Sequence, residues 1–113
     1  MDREALAFGT GRGTAEVIDL TDGECLQQHR ENDSLIHAVT LTSIGGRPAL
    51  ITGDDTGTIR IYREGVQRPE FVIPTGATIR AVLARDHGLI VVATLLGMLA
   101  VTISGPGHHA WPG

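Results

Sequence analysis

ALITGDDTGTIRIYR, residues 49–63, decides the fold. Ala49, Leu50, Ile51 and Thr52 make an apolar run of strand length. After them, Ile59 and Ile61 point one way while Thr58, Arg60 and Tyr62 point the other, a period of two. Between the two runs, Gly53-Asp54-Asp55-Thr56-Gly57 supplies turn formers: glycine for positive φ, aspartate for side-chain bonds to its own backbone. The stretch reads as a β-hairpin.

The same unit recurs on either side. ALAFGTGRGTAEVIDL (5–20) is strand, glycine-rich turn and strand, followed by the turn Thr21-Asp22-Gly23. GLIVVATLLGMLAVTI (88–103) is strand, a short turn near Leu96-Gly97, and strand. The turn glycines Gly13, Gly57 and Gly97 are spaced by 44 and 40 residues. A further strand precedes the second and third hairpins, IHAVTLTS at 36–43 and IRAVLA at 79–84, aligned at Ile36 and Ile79. Repeats of about 40–45 residues with four short strands each are the signature of propeller blades.

Composition agrees with a small folded unit. The 113 residues are 42% hydrophobic and 19% charged, which is globular rather than disordered. Nine arginines and no lysine stand against thirteen acids, a net charge of −4, and the basic stripe that nucleic-acid binding needs is absent. The single Cys25 excludes an internal disulfide framework and fits a reducing compartment, and the N-terminus lacks a signal-peptide core, so a cytoplasmic protein is expected. The uncharged stretch 89–103 is 15 residues long and interrupted by Gly97, shorter than the roughly 18–20 a spanning helix requires. Two adjacent buried strands account for it, so no membrane partner is expected.

ITGDDTGTIRIYR resembles the Ser-Gly-x-x-Asp-Gly-Thr-hydrophobic-Arg-hydrophobic-Trp-Asp segment of WD-repeat (WD40-type) β-propellers, and DLTDGECLQ (19–27) resembles the turn and outer strand that follow it. IHAVTLTSIGGRPALITGDDTG is close in style to WD repeats at the C-terminal end of large bacterial multidomain proteins with a regulatory nucleotide-binding core. The likeness runs over about residues 5–103. The Trp-Asp pair is replaced by Tyr62-Arg63, Ile18-Asp19 and Thr102-Ile103 in the three repeats. In the network that the family buries, Thr52 matches the Ser/Thr place and Tyr62 the aromatic one; Thr56 takes the turn-Asp place, with Asp55 one residue off. Asn32 and Thr75 take the His place before the second and third repeats.

Counting strands gives an all-β partial β-propeller of about two and two-thirds four-stranded antiparallel blades, at approximately 5–30, 36–73 and 79–103, with a disordered tail at 104–113. Closed propellers contain about four to eight blades. The chain is therefore expected to be an arc of a longer propeller, to close a ring with copies of itself, or to complete another protein's ring.

The chemistry-bearing residues have plainer readings. Gly9-Thr10-Gly11-Arg12-Gly13 departs from G-x-G-x-x-G because its third glycine comes one residue early, so a hairpin turn is preferred over a nucleotide-binding enzyme loop. Asp54-Asp55-Thr56 lacks the alternating acids and terminal Glu of a calcium loop. His108-His109 in the tail makes a poor metal site without further ligands, and Trp111 beside it reads as an exposed residue rather than a partner anchor. No catalytic, cofactor or metal site is expected. The resemblance implies a non-catalytic protein-interaction scaffold or sensor module, binding a protein partner or further blades through loops at one end. Arg12, Asn32, Asp33, Asp54 and Asp55 are the candidate interaction face; Gly13, Thr52, Gly53, Gly57, Tyr62 and Gly97 form the supporting turns and strands.

Overall fold

In a computed structural model of the chain, residues 4–10, 12–31, 35–85 and 88–103 are described. They form ten strands in three antiparallel sheets, with no α-helix among the described residues. The first sheet contains β1 (Ala5–Gly9), β2 (Thr14–Asp19) and β3 (Cys25–Arg30). The second contains β4 (Ile36–Ile44), β5 (Arg47–Asp54), β6 (Thr58–Arg63) and β7 (Phe71–Pro74), and the third β8 (Ile79–Ala84), β9 (Leu89–Thr94) and β10 (Gly97–Thr102). Each strand pairs with its neighbour in sequence, so each sheet is a meander. Side by side, the three are an arc of a β-propeller.

The central hairpin sets the stacking. In the pairing of β5 with β6, Leu50 lies opposite Tyr62 and Thr52 opposite Arg60, while Ile51 lies opposite Ile61 and Gly53 opposite Ile59. The first set faces the first sheet, where Leu50 and Tyr62 pack with Ala15, Val17 and Ile36. The second set faces the third sheet, where Ile51, Ile59 and Ile61 pack with Ile79, Ile90, Val92 and Ile103. With a sheet on each side, β5 is buried from Ala49 through Asp54, which is why its apolar run is continuous rather than alternating.

One contact is used at both junctions. Ile36 pairs with Asp54 and Ile79 with Thr94, and a bulge follows each isoleucine before Ala38 and Ala81. Each isoleucine is thereby turned onto the preceding sheet, over a glycine. A Cβ on Gly9 would stand 2.5 Å from Ile36 Cγ2, and one on Gly53 would stand 2.4 Å from Ile79 Cγ2. Both glycines are required by this close approach.

Three details differ from the sequence reading. β5 begins at Arg47, earlier than the apolar run at Ala49 suggests. Gly97 is not conformationally equivalent to Gly13 and Gly57: its φ is 146° against 79° and 88°, because the third hairpin closes with only Leu95 and Leu96 between its strands. The stretch 89–103 does form two strands, but they are buried on one face only. Ile90 and Val92 are nearly inaccessible, whereas Met98 is 73% and Leu83, on the adjoining β8, 54% exposed. No helix among the described residues is long and apolar enough to cross a membrane.

Gly53→Ala is expected to cost about 1–3 kcal/mol in urea unfolding, the range for overpacking a filled site. Adding Ile79→Ala should recover part of that loss, so that the double substitution costs less than the sum of the singles.

Candidate functional site

The chemistry-bearing side chains of the middle repeat gather between the first two sheets. Asp54 closes β5, and its Oδ1 accepts the backbone N–H of Thr56 (3.0 Å) and of Thr58 (3.0 Å) and the hydroxyl of Thr56 (2.7 Å). Its Oδ2 accepts from Arg60 Nη1 at 2.8 Å. The same Nη1 lies 3.1 Å from Oε1 of Glu31, which leaves the end of β3. Oε2 of Glu31 accepts the hydroxyls of Thr52 (2.7 Å) and Tyr62 (2.8 Å). One guanidinium thus sits between two carboxylates whose side chains are 1% and 0% exposed. Buried charges are stable only when paired and hydrogen-bonded, and here every carboxylate oxygen has a donor.

Titration follows from this geometry. Burial alone would raise the pKa of Asp54, but the hydrogen bonds from Thr56, Thr58 and Arg60 outweigh it and hold the carboxyl below its ordinary value. Burial likewise opposes the charge on Arg60, and Asp54 and Glu31 override it. Tyr62 is pushed up by burial and by its bond to Glu31.

His29 joins the cluster from β3. Its ring stacks on Tyr62 with centroids 3.7 Å apart and planes 23° from parallel. Nδ1 is 3.1 Å from the Gln67 carbonyl and Nε2 is 2.6 Å from Gln27 Nε2. A neutral ring that donates from Nδ1 and accepts at Nε2 satisfies both partners, the tautomer being assigned from them. Burial lowers the pKa of this ring, against the pull of the Gln67 carbonyl and of Glu31.

Above the cluster, the connections at one end of the arc are stitched together. Glu31 donates its N–H to the Gly13 carbonyl and Asp55 to Leu35; Thr75 donates to Gly57 and Leu95 to Thr78. Gly57 has φ 88°, and a Cβ there would stand 2.7 Å from the Ala77 carbonyl oxygen. The turns therefore form a continuous rim.

Of the residues singled out in the sequence, Thr52 and Tyr62 meet at Glu31, Gly53 lies beneath Ile79, and Gly57 and Gly13 close rim turns. Arg12 and Asp55 are exposed on the rim. Asn32, Asp33 and the tail lie outside the described residues. Asp54 requires a correction: placed on the outward face by its position in a turn, it is fully buried, because its carboxylate caps the turn from below. Within the cluster the turn's acid is Asp54, and Thr56 donates its hydroxyl to it. The place facing Thr52 and Tyr62 is taken by Glu31, one residue before Asn32. Thr75 instead sets its hydroxyl 2.8 Å from the Gly57 carbonyl. Between β1 and β2, Thr10 Oγ1 accepts the N–H groups of Arg12 and Thr14. Sequence reasoning missed Glu31, Arg60 and His29. The alternation of β6 already placed Arg60 beside Tyr62 on the Thr52 face, the available signal for a buried arginine.

No protein-family model matches the chain, and no curated protein matches it by sequence. Solved structures do. The computationally designed Ika4 protein aligns with TM-score 0.78 and 17% identity over 92% of this chain and 63% of that one. The WD40 β-propeller domain of Doa1 aligns with TM-score 0.71 and 17% identity over 85% of this chain and 32% of that one. The β-propeller domain of Myceliophteria thermophila Cps50 (Swd1) aligns with TM-score 0.74 and 18% identity over 91% and 33%. The chain thus has the fold of WD40-type β-propellers and spans about a third of the length of these two domains.

Arg60→Met leaves two buried carboxylates without their counter-charge and is expected to cost about 3–5 kcal/mol by chemical denaturation. Acid should act in two stages. His29 is depressed below 6.5 in the folded chain, so the unfolded state takes up that proton first, and the stability present above pH 6.5 declines below it. Asp54 is depressed below 3.8, so its contribution is complete above that pH and is lost under stronger acid. Melting temperatures of the wild type and His29→Gln against pH should differ in the first stage and share the second.

Proposed function

We propose that the chain is a non-catalytic protein-interaction scaffold of WD-repeat type that binds a protein partner through the turns at one end of its sheets. The observation that carries this reading is the rim. Backbone hydrogen bonds link its successive turns, Asp54 holds the β5–β6 turn from beneath, and Asp55 and Arg12 are left pointing outward. A rigid set of turns with exposed charges offers recognition at low ordering cost. The polar groups beneath are consumed by one another, which supports a scaffold over an enzyme. On this reading the chain would act as a cytoplasmic sensor or docking module beside a nucleotide-driven switch, as the resemblance of residues 36–57 to bacterial multidomain WD repeats implies. A second reading, one arc of a larger ring whose function belongs to the whole, is favoured by the first and third sheets, which have three described strands each against four in the second.

The test compares proteins retained from cell extract by the immobilised wild type and by Arg12→Glu/Asp55→Arg. A specific partner should bind the variant at least about tenfold more weakly, with melting unchanged, as expected for surface charges away from the core. Equal retention by both would overturn the rim as the binding face.

A further inference from the structure

The third repeat departs from ordinary turn chemistry. β9 and β10 are joined by Leu95 and Leu96 alone, which are 61% and 85% exposed. Two-residue hairpin turns favour glycine, asparagine and aspartate, for their backbone freedom or their side-chain bonds, and leucine offers neither. Nor is the turn loose. The Thr94 hydroxyl accepts the N–H of Leu96 at 3.1 Å and donates to the Gly97 carbonyl at 2.9 Å. Adjacent leucines held in water on fixed backbone mark a contact surface.

The register identifies what stands beside them. In the second repeat Asp55 donates its N–H to the carbonyl of Leu35, the residue before Ile36. In the third, Leu95 donates to the carbonyl of Thr78, the residue before Ile79, and both bonds are 3.1 Å. Leu95 is thus the counterpart of Asp55, and Thr78 of Leu35. The two pairs are joined, because the Thr78 hydroxyl donates to the Asp55 carbonyl at 2.8 Å. Leu35, Asp55, Thr78 and Leu95 therefore form one hydrogen-bonded row along the rim, apolar at both ends. Its single charge is the Asp55 carboxylate, which is exposed and bonded to none of the described residues. Leu35 is 39% exposed at the other end from Leu95 and Leu96.

The length of the row says what fits it. Hydrogen-bonded backbone neighbours lie about 5 Å apart, so three links span at most about 15 Å. In an extended segment alternate side chains share a face, and four residues span about 13 Å. Positions i, i+2 and i+4 of such a segment match Leu35, Asp55 and the Leu95-Leu96 pair. We propose that the rim takes an extended peptide segment carrying one Lys or Arg with an apolar residue two places to either side. The cation pairs with Asp55, and the apolar side chains rest on the leucines. Arg12 and Arg80, both exposed outside the row, repel a segment with further basic residues and so favour a single one. This partner class rests on the rim being the binding face.

The test pans a random heptapeptide library, displayed on phage, against the immobilised full chain. Enriched peptides should share one Lys or Arg flanked at two residues' distance by Leu, Ile, Val, Phe or Met. On Asp55→Arg the central residue should become Asp or Glu with the apolar flanks kept, and on Asp55→Asn the charge preference should vanish. On Leu95→Ser/Leu96→Ser one apolar flank should be lost and the basic centre retained. A leading peptide should bind Asp55→Arg at least about tenfold more weakly by fluorescence anisotropy. These are exposed side chains, so melting should stay unchanged. Peptides of this pattern that bind Asp55→Arg equally well would overturn the proposal. Peptides that lack the pattern but are lost on Arg12→Glu/Asp55→Arg would overturn it and leave the rim as the binding face. An empty selection would overturn the extended segment and leave the rim to a folded partner. Peptides indifferent to every rim change would overturn the rim as well.

Discussion

The arrangement depends on Arg60 being held between Glu31 and Asp54. Glu31 belongs to the exit of the first sheet and Asp54 to the turn of the second, so one guanidinium fixes both the hairpin and its neighbour. A single carboxylate would satisfy the charge, but it would leave either the turn or the junction unanchored. The remaining donors follow from this choice. Thr52 and Tyr62 face Glu31 because strand alternation puts them beside Arg60, and His29 lies flat on the ring that Tyr62 presents. The turn above is rigid because the acid that caps it is itself immobile.

Much of the fold was legible because its periodicities are strong. Ile59 and Ile61 against Arg60 and Tyr62 declare a strand, and the isoleucines at 36 and 79 declare a repeat. The cluster was less legible for a physical reason. A charged residue in an alternating strand ordinarily faces water, and Arg60 breaks that rule only because carboxylates from two other segments converge on it. Burial of Asp54 was equally hidden, since turn aspartates usually bond their own backbone from the surface. Asp54 does bond its own backbone, but from within the core.

The rim and the cluster beneath it divide the molecule by chemistry. The rim carries exposed charges on backbone that is tied down, which suits reversible recognition. In the cluster the charges of Glu31, Asp54 and Arg60 are consumed by one another, which suits permanence. Leucine in place of aspartate separates the third turn from the second, although both are built on the same register.

The two junctions also respond to different agents. The first is held by ion pairs and hydrogen bonds around Arg60, together with a small apolar cluster. The second is almost wholly isoleucine and valine, with Arg63 at the end of β6 bonded to the Ile44 carbonyl. Apolar contact weakens on cooling, and charge networks weaken when their acids take up protons. Cold is therefore expected to weaken the junction of the second and third sheets first, and acid the junction of the first and second, so the two respond to different conditions.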